Sequence, residues 1–100
     1  MTIAQQAEIW YRQRKEHLSK LFLRIQIAST MPDDPDGEIG IGLEGHAIIA
    51  NISIFNSGMI DIPAVNKLSG KEFVLDHRVL APDEDLGVLL DRYVEQISSD

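Results

Sequence analysis

The chain of 100 residues contains no cysteine, few prolines and no apolar run long enough to cross a membrane. The lack of cysteine excludes disulfides, thiolate metal sites and a cysteine nucleophile, and it is typical of a reducing compartment. A transmembrane helix needs about 20 mostly apolar residues, and the N-terminal segment also lacks the apolar stretch of a signal peptide. We therefore expect a cytoplasmic protein that neither inserts into a membrane nor carries a recognisable export signal.

Basic side chains are scarce as well. There are nine Lys and Arg against 16 Asp and Glu, which gives a formal net charge of -7. Five of the basic residues lie in residues 1–30, whereas residues 31–100 hold four basic and fourteen acidic side chains. Because phosphate-binding domains concentrate positive charge, this distribution argues against nucleic acid as the main ligand. The acidic charge either attracts a basic protein partner or simply keeps the protein soluble.

The apolar pattern predicts two helices that flank five strands. Apolar positions at helical spacing over residues 3–20, Trp10 among them, indicate an amphipathic first helix. Alternation then predicts strands over residues 21–29, 38–44, 47–55, 59–65 and 72–80. Pro82, followed by three acidic residues, predicts that a second helix begins there. The chain length fits a single domain spanning residues 1–100.

Short connections between successive strands predict an antiparallel meander in an α+β fold. Both amphipathic helices must bury their apolar stripes, so we expect them on the same face of the sheet. The other face is then uncovered, and it is either an ordinary solvated face or a binding surface. Simple alternation in the last strand places Asp76 and Arg78 on the uncovered face and His77 in the core.

Two local motifs resemble ligand sites but fail on context. Residues 40–45 match G-x-G-x-x-G, yet apolar alternation continues through them and a strand follows, whereas a dinucleotide site needs a following helix. Three aspartates precede Gly37, but with this glycine at position six of a helical calcium loop, ligand positions one and twelve fall on Pro32 and Leu43. We therefore expect no cofactor-binding residue and no metal site.

No catalytic set emerges from the remaining candidates. The three histidines lack the close spacing of a zinc motif. Asp76 and His77 are neighbours in one strand and point to opposite faces, so they cannot act together with Ser53 or Ser57 as a triad. We expect a protein without catalytic residues and without a small-molecule substrate, which acts by binding another protein.

Four segments resemble the TriTu-like immunity proteins of bacteria: residues 9–11 with their central Trp10, residues 50–62, residues 69–78 and residues 89–94. Members similarly carry a Trp-bearing first helix, and a strand, an aromatic, a short Gly turn and an acidic strand in the centre. This sequence has Phe55 where members commonly have Trp, and its Asp-Pro loop is longer.

The resemblance implies an antitoxin of interbacterial competition that binds a cognate polymorphic toxin and occludes its active site. The toxin would be of the ADP-ribosyltransferase type, and the immunity protein itself would bind no NAD. Toxin-binding residues are expected on the uncovered face and in the acidic loop: Asp61, Asp76, Glu38, Glu44, Asn51, Phe55, Asp33, Asp34 and Asp36. A second hypothesis is a small cytoplasmic adaptor or chaperone for a secreted effector, and a third is an enzyme.

Overall fold

Two helices pack on one side of a five-stranded sheet in the computed structural model, which describes residues 1–99. Each strand pairs antiparallel with the next one in sequence, so the sheet is an uninterrupted meander. This confirms the α+β architecture predicted from periodicity. The elements are α1 (Ile3–Leu21), β1 (Arg24–Thr30), β2 (Glu38–Glu44), β3 (Ile48–Phe55), β4 (Met59–Asn66), β5 (Glu72–Val79) and α2 (Leu86–Ser98).

Helix α1 begins with a capping box. The hydroxyl of Thr2 accepts from the backbone N–H of Gln5, and the Gln5 side chain accepts from the Thr2 N–H in return. The indole of Trp10 is buried, and its Nε1 donates to Asp91 of α2 over 2.9 Å, which joins the two helices. Because α1 continues to Leu21, the first strand begins at residue 24 and not at residue 21.

The side of the sheet that faces the helices supplies most of the core. Except for Asn66 at the end of β4, its residues in the three central strands are apolar, and they pack with the buried stripes of both helices into one cluster. Burial of this hydrocarbon is the main favourable term in folding. The sheet side chains that are almost completely buried are Ile39, Ile41, Leu43, Ala50, Ile52, Ile54, Ile60, Ile62 and Ala64.

The second helix begins later than the sequence predicts. Residues 82 and 83 form a turn, Asp85 is the N-cap, and α2 begins at Leu86. Glu84 does not occupy the first helical turn, because its carboxylate pairs with the guanidinium of Arg78 on β5. The prediction of a helix start at Pro82 was therefore wrong by four residues.

A β-bulge reverses the faces of the last strand. Asp76 pairs with Ile62 and Val74 pairs with Pro63, so Leu75 is an extra residue without a partner. Directly opposed residues share a face, and one extra residue moves all following side chains to the other side. Pro63 lacks the N–H that a regular ladder would need at this point.

The bulge overturns three placements made from simple alternation. Asp76 and Arg78 lie on the helix side, opposite Ile62 and Ile60, and His77 lies on the uncovered face opposite Asp61.

Within residues 1–99, neither helix combines the length and the apolar character that spanning a membrane requires.

Candidate functional site

The candidate site is the side of the sheet that points away from both helices, which we call the open face. The strand registers arrange its side chains in four rows that each cross all five strands. In order they are Arg24-Glu44-Ile49-Val65-Glu72, Gln26-Gly42-Asn51-Pro63-Val74, Ala28-Gly40-Ser53-Asp61-His77 and Thr30-Glu38-Phe55-Met59-Val79.

The first two rows form a groove of about 690 Å³. Ile49, Val65 and Val74 supply apolar side chains, and Gly42 leaves part of the floor bare. Ile49 is 42% exposed and Val74 is 60% exposed, although both are hydrocarbon side chains within paired strands. Exposed apolar side chains that cluster in this way are typical of a binding surface. We call this feature the apolar groove.

The two glycines of β2 serve the packing of neighbouring strands. A Cβ at Gly42 would lie 2.8 Å from Cγ of Gln26, and a Cβ at Gly40 would lie 3.4 Å from Oδ1 of Asn51. The G-x-G string thus sits inside a strand that is followed by another strand, as predicted. These glycines make room for side chains from the adjacent strands.

Carboxylates dominate the charge of the open face. The negative charge of Glu44 is compensated by Lys67, whose Nζ donates to the Glu44 carboxylate over 2.9 Å. This hydrogen bond is the main cause of the lowered pKa of Glu44. Across residues 1–99, neither Glu38 nor Glu72 forms an ion pair. Residues 25–66 contain no Lys or Arg at all. The face therefore presents uncompensated negative charge.

Asp61 and His77 form the one polar pair in the third row. Oδ1 of Asp61 lies 3.1 Å from Nδ1 of His77, and both side chains are accessible to solvent. Ser53 lies on the other side of Asp61, so the carboxylate stands between the hydroxyl and the imidazole. A triad needs the histidine between the other two groups. No group of three or more potential metal ligands occurs among residues 1–99.

Asn56 holds the acidic loop, residues 31–37, against the rest of the protein. Its Nδ2 donates to the carbonyl oxygens of Pro32 and Asp34 over 3.0 and 2.7 Å. Its Oδ1 accepts from the N–H of Ala4 at the start of α1 over 2.8 Å. The sequence marks Asn56 only as a turn residue, since its partners are far away in the chain.

The acidic loop lies beside the fourth row. Gly37 separates Asp36 from Glu38, so the charge of the loop continues that of the open face. Gly37 is required there, because a Cβ would lie 1.9 Å from the carbonyl oxygen of Met31. The loop is thus held in place at the end of the sheet.

The structure gathers all but one of the residues expected to bind a partner. Asp61, Glu38, Glu44, Asn51 and Phe55 lie on the open face, and Asp33, Asp34 and Asp36 lie in the acidic loop.

Asp76 lies on the helix side, where the hydroxyl of Tyr93 donates to its Oδ2 over 2.5 Å. Burial, followed by this hydrogen bond, raises the pKa of Tyr93 well above its ordinary value. Asp76 is therefore not part of the open face. His77 lies on the open face opposite Asp61, in the strand where simple alternation had predicted Asp76 to face outward.

No known protein family, curated protein or solved structure matches this chain. The resemblance to the TriTu-like immunity proteins stays a prediction.

Proposed function

We propose that this protein is an immunity protein that binds a basic toxin domain through its open face and occludes the toxin's active site. The observation that carries the proposal is the uncovered sheet face, which combines exposed apolar side chains with uncompensated carboxylates. Protein interfaces commonly have an apolar centre and a polar rim. The resemblance in sequence adds the toxin class, an ADP-ribosyltransferase, and the cytoplasm as the place of action.

The charge distribution favours a basic partner that approaches from the sheet side. Glu38, Asp61 and Glu72 lie on the open face, and the acidic loop adds three aspartates beside it. Four of the five basic residues in the first thirty are on α1, in the opposite layer. Complementary charge speeds association and orients the encounter, and it also disfavours partners of the wrong sign.

The apolar groove supplies the contacts that would hold the partner after the encounter. Ile49 and Val74 already stand clear of the backbone, so a partner side chain can pack against them without any rearrangement of the strands. A few such desolvated contacts usually carry most of the binding energy. Exclusion of water from the groove would lower the local dielectric and so strengthen ion pairs at its edge, such as those that Glu72 can form with a basic partner.

A pair of charge reversals tests the proposal. Asp61→Lys on the open face and Glu16→Lys on α1 change the net charge equally, and Glu16 is well exposed in the helix layer. The probe is the folded toxin domain encoded next to this protein in its source cell, measured by calorimetry. We expect Asp61→Lys to weaken binding by about 2 kcal/mol, or roughly thirtyfold, because the introduced ammonium repels a basic cleft.

The Glu16→Lys control should bind within about twofold of the parent protein, since surface charges far from an interface contribute little. Both variants should melt like the parent, because both positions are on the surface. Equal binding by the two variants, with growth protection intact in both, would move the interface away from the open face.

Toxin inhibition separates an immunity protein from an adaptor or chaperone. An immunity protein should stop NAD cleavage by the folded toxin domain at stoichiometric concentration. A chaperone should leave NAD cleavage unchanged and should bind the isolated secretion segment of the effector. Binding without inhibition would therefore contradict the proposal and support the adaptor.

A further inference from the structure

The two edges of the sheet differ in how they are protected. Natural proteins guard edge strands with charges, bulges and proline, because a bare edge offers unpaired N–H and C=O groups to another strand. The β5 edge has a bulge, and charged side chains are spread along it. The β1 edge has no bulge and no proline, and no residue after Arg24 in this strand is charged.

We propose that a second copy of this chain adds to the β1 edge. The two β1 strands would pair antiparallel around a two-fold axis at Ile27, and the sheets would join into one of ten strands. This proposal goes beyond the proposed function and does not depend on it, because it concerns the unpaired backbone edge of β1 and requires no partner on the open face.

Exposed apolar residues are arranged symmetrically about Ile27. Leu23 precedes it by four residues and is 54% exposed, and Met31 follows it by four residues and is 56% exposed. Leu23 and Met31 directly flank β1, and the backbone of Met31 already turns away from the strand with a φ of 46°. In the two-fold pairing, Leu23 of one copy and Met31 of the other come to the same end of the paired strands. An isologous interface needs a self-complementary surface of this kind. An unrelated partner strand would give no reason for this symmetry.

Charge is complementary in the same register. Arg24 is almost fully exposed, and its Nε lies 3.9 Å from Glu44. The pairing places Arg24 opposite Thr30 of the second copy, and Thr30 is the sheet neighbour of Glu38. Arg24 can therefore extend across Thr30 towards a carboxylate that has no ion pair within residues 1–99. The uncharged side chains of Gln26 and Ala28 face each other in the centre, so no like charges are opposed.

The pairing would be weak and would enlarge the binding surface. Seven paired residues and two apolar contacts are less than the area of a standard stable interface, so we expect a dissociation constant of about 10–100 μM. Because both open faces would lie on the same side of the joined sheet, the dimer would present a continuous surface of twice the width.

Sedimentation equilibrium of the full chain between micromolar and millimolar concentration tests the dimer. We expect Leu23→Glu and Met31→Lys each to weaken self-association by about tenfold or more, because each places a charge against an apolar side chain. The double variant L23E/M31K should recover most of the association, since the introduced carboxylate and the introduced ammonium then lie at the same end of the paired strands. Both positions are exposed, and thermal melts of each variant will show that it is folded.

Val79→Glu is the matched control, because Val79 is an exposed apolar residue on the other edge strand. It should leave self-association unchanged. A chain that remains monomeric up to millimolar concentration would overturn the proposal, as would loss of association in Val79→Glu but not in Leu23→Glu. Failure of the double variant to recover would overturn the register at Ile27.

Discussion

The two faces of the sheet are built from alternating residues of the same strands, yet they have opposite character. In β3, Ile52 and Ile54 point towards the helices and are fully buried, whereas Ile49 and Asn51 point away and are exposed. The helix side is apolar across the central strands, and the open face mixes carboxylates, amides, glycines and hydrocarbon. The comparison shows that the helix side determines the fold, which leaves the open face free to carry a function.

The outer strand β5 differs from the central strands, because it places charged side chains on the helix side of the sheet. Asp76 and Arg78 lie there, but each has a partner beyond the sheet, in the hydroxyl of Tyr93 and the carboxylate of Glu84. Among residues 1–99, no buried side-chain nitrogen or oxygen lacks a hydrogen bond. Polar groups are tolerated on this side where they are paired, as expected from the cost of burying them alone.

The largest expected contrast between the faces is one of stability. Ile52→Ala and Ile49→Ala remove the same atoms from positions three residues apart in β3. We expect Ile52→Ala to lower the free energy of unfolding by about 2–5 kcal/mol, because it leaves a cavity in the core. Ile49→Ala should cost less than about 1 kcal/mol, since its side chain is already partly in water. Urea unfolding measures both values, and equal costs would contradict the distinction between the two faces.

The next contrast tests the polar pair on the helix side through pH. Tyr93→Phe removes the hydroxyl that donates to Asp76, and we expect a loss of about 1–2 kcal/mol at neutral pH. Because the pKa of Tyr93 is raised in the folded protein, its contribution is complete below the ordinary tyrosine value of 10.0. The contribution is then lost as pH rises from there towards the raised pKa.

Urea unfolding of parent and variant at neutral and alkaline pH measures this effect. The difference between the two proteins should shrink at alkaline pH, since only the parent must keep the Tyr93 hydroxyl protonated. A difference that stays constant over this range would show that the hydroxyl does not stabilise the fold in its protonated form.

The smallest expected effect concerns an exposed pair on the open face. Lys67→Met should leave the urea midpoint unchanged within error, because exposed ion pairs contribute little. It should still return the lowered pKa of Glu44 towards its ordinary value of 4.5, which carboxyl NMR shifts can follow. The interaction is present above that ordinary value and is lost as pH falls through the lowered pKa.

Arg24→Met is the control for this titration. Arg24 lies 3.9 Å from Glu44, whereas Lys67 lies 2.9 Å from it, so its removal should move the pKa less. A larger change with Arg24→Met would mean that long-range charge, and not the hydrogen bond, sets the acidity of Glu44.

Periodicity predicted the existence and order of every helix and strand, because each element buries one side. The helical spacing of apolar residues in α1 and the alternation through β2 and β3 are local signals, and they were sufficient. The signal at Pro82 was misleading, since a proline followed by acidic residues also suits a turn. Glu84 lies before α2 and pairs with Arg78 of β5, a partner that no local pattern indicates.

The candidate site was predictable wherever strict alternation held. The open-face positions of β2, β3 and β4 followed from counting by two, and so Asp61 and Glu38 were placed correctly. In β5 the same counting failed after Val74, because the extra residue Leu75 leaves no mark in the pattern of β5 itself, and the proline opposite the bulge belongs to β4. Asp76 and His77 both follow the bulge, so alternation counted from the start of β5 assigns each of them to the wrong face.

The sequence by itself determined the class of fold, the apolar side of each element and the segregation of charge between the first thirty residues and the rest. These properties depend on the local period of hydrophobic residues and on composition, which need no knowledge of contacts. Only the tertiary structure decided the bulge in β5, the anchoring of the acidic loop by Asn56 and the bare edge at β1. The bulge and the anchored loop depend on hydrogen-bond partners that are distant in sequence, and the bare edge depends on the absence of such partners. Strand pairing decides which backbone groups have partners, and it is complete only when the whole sheet has formed.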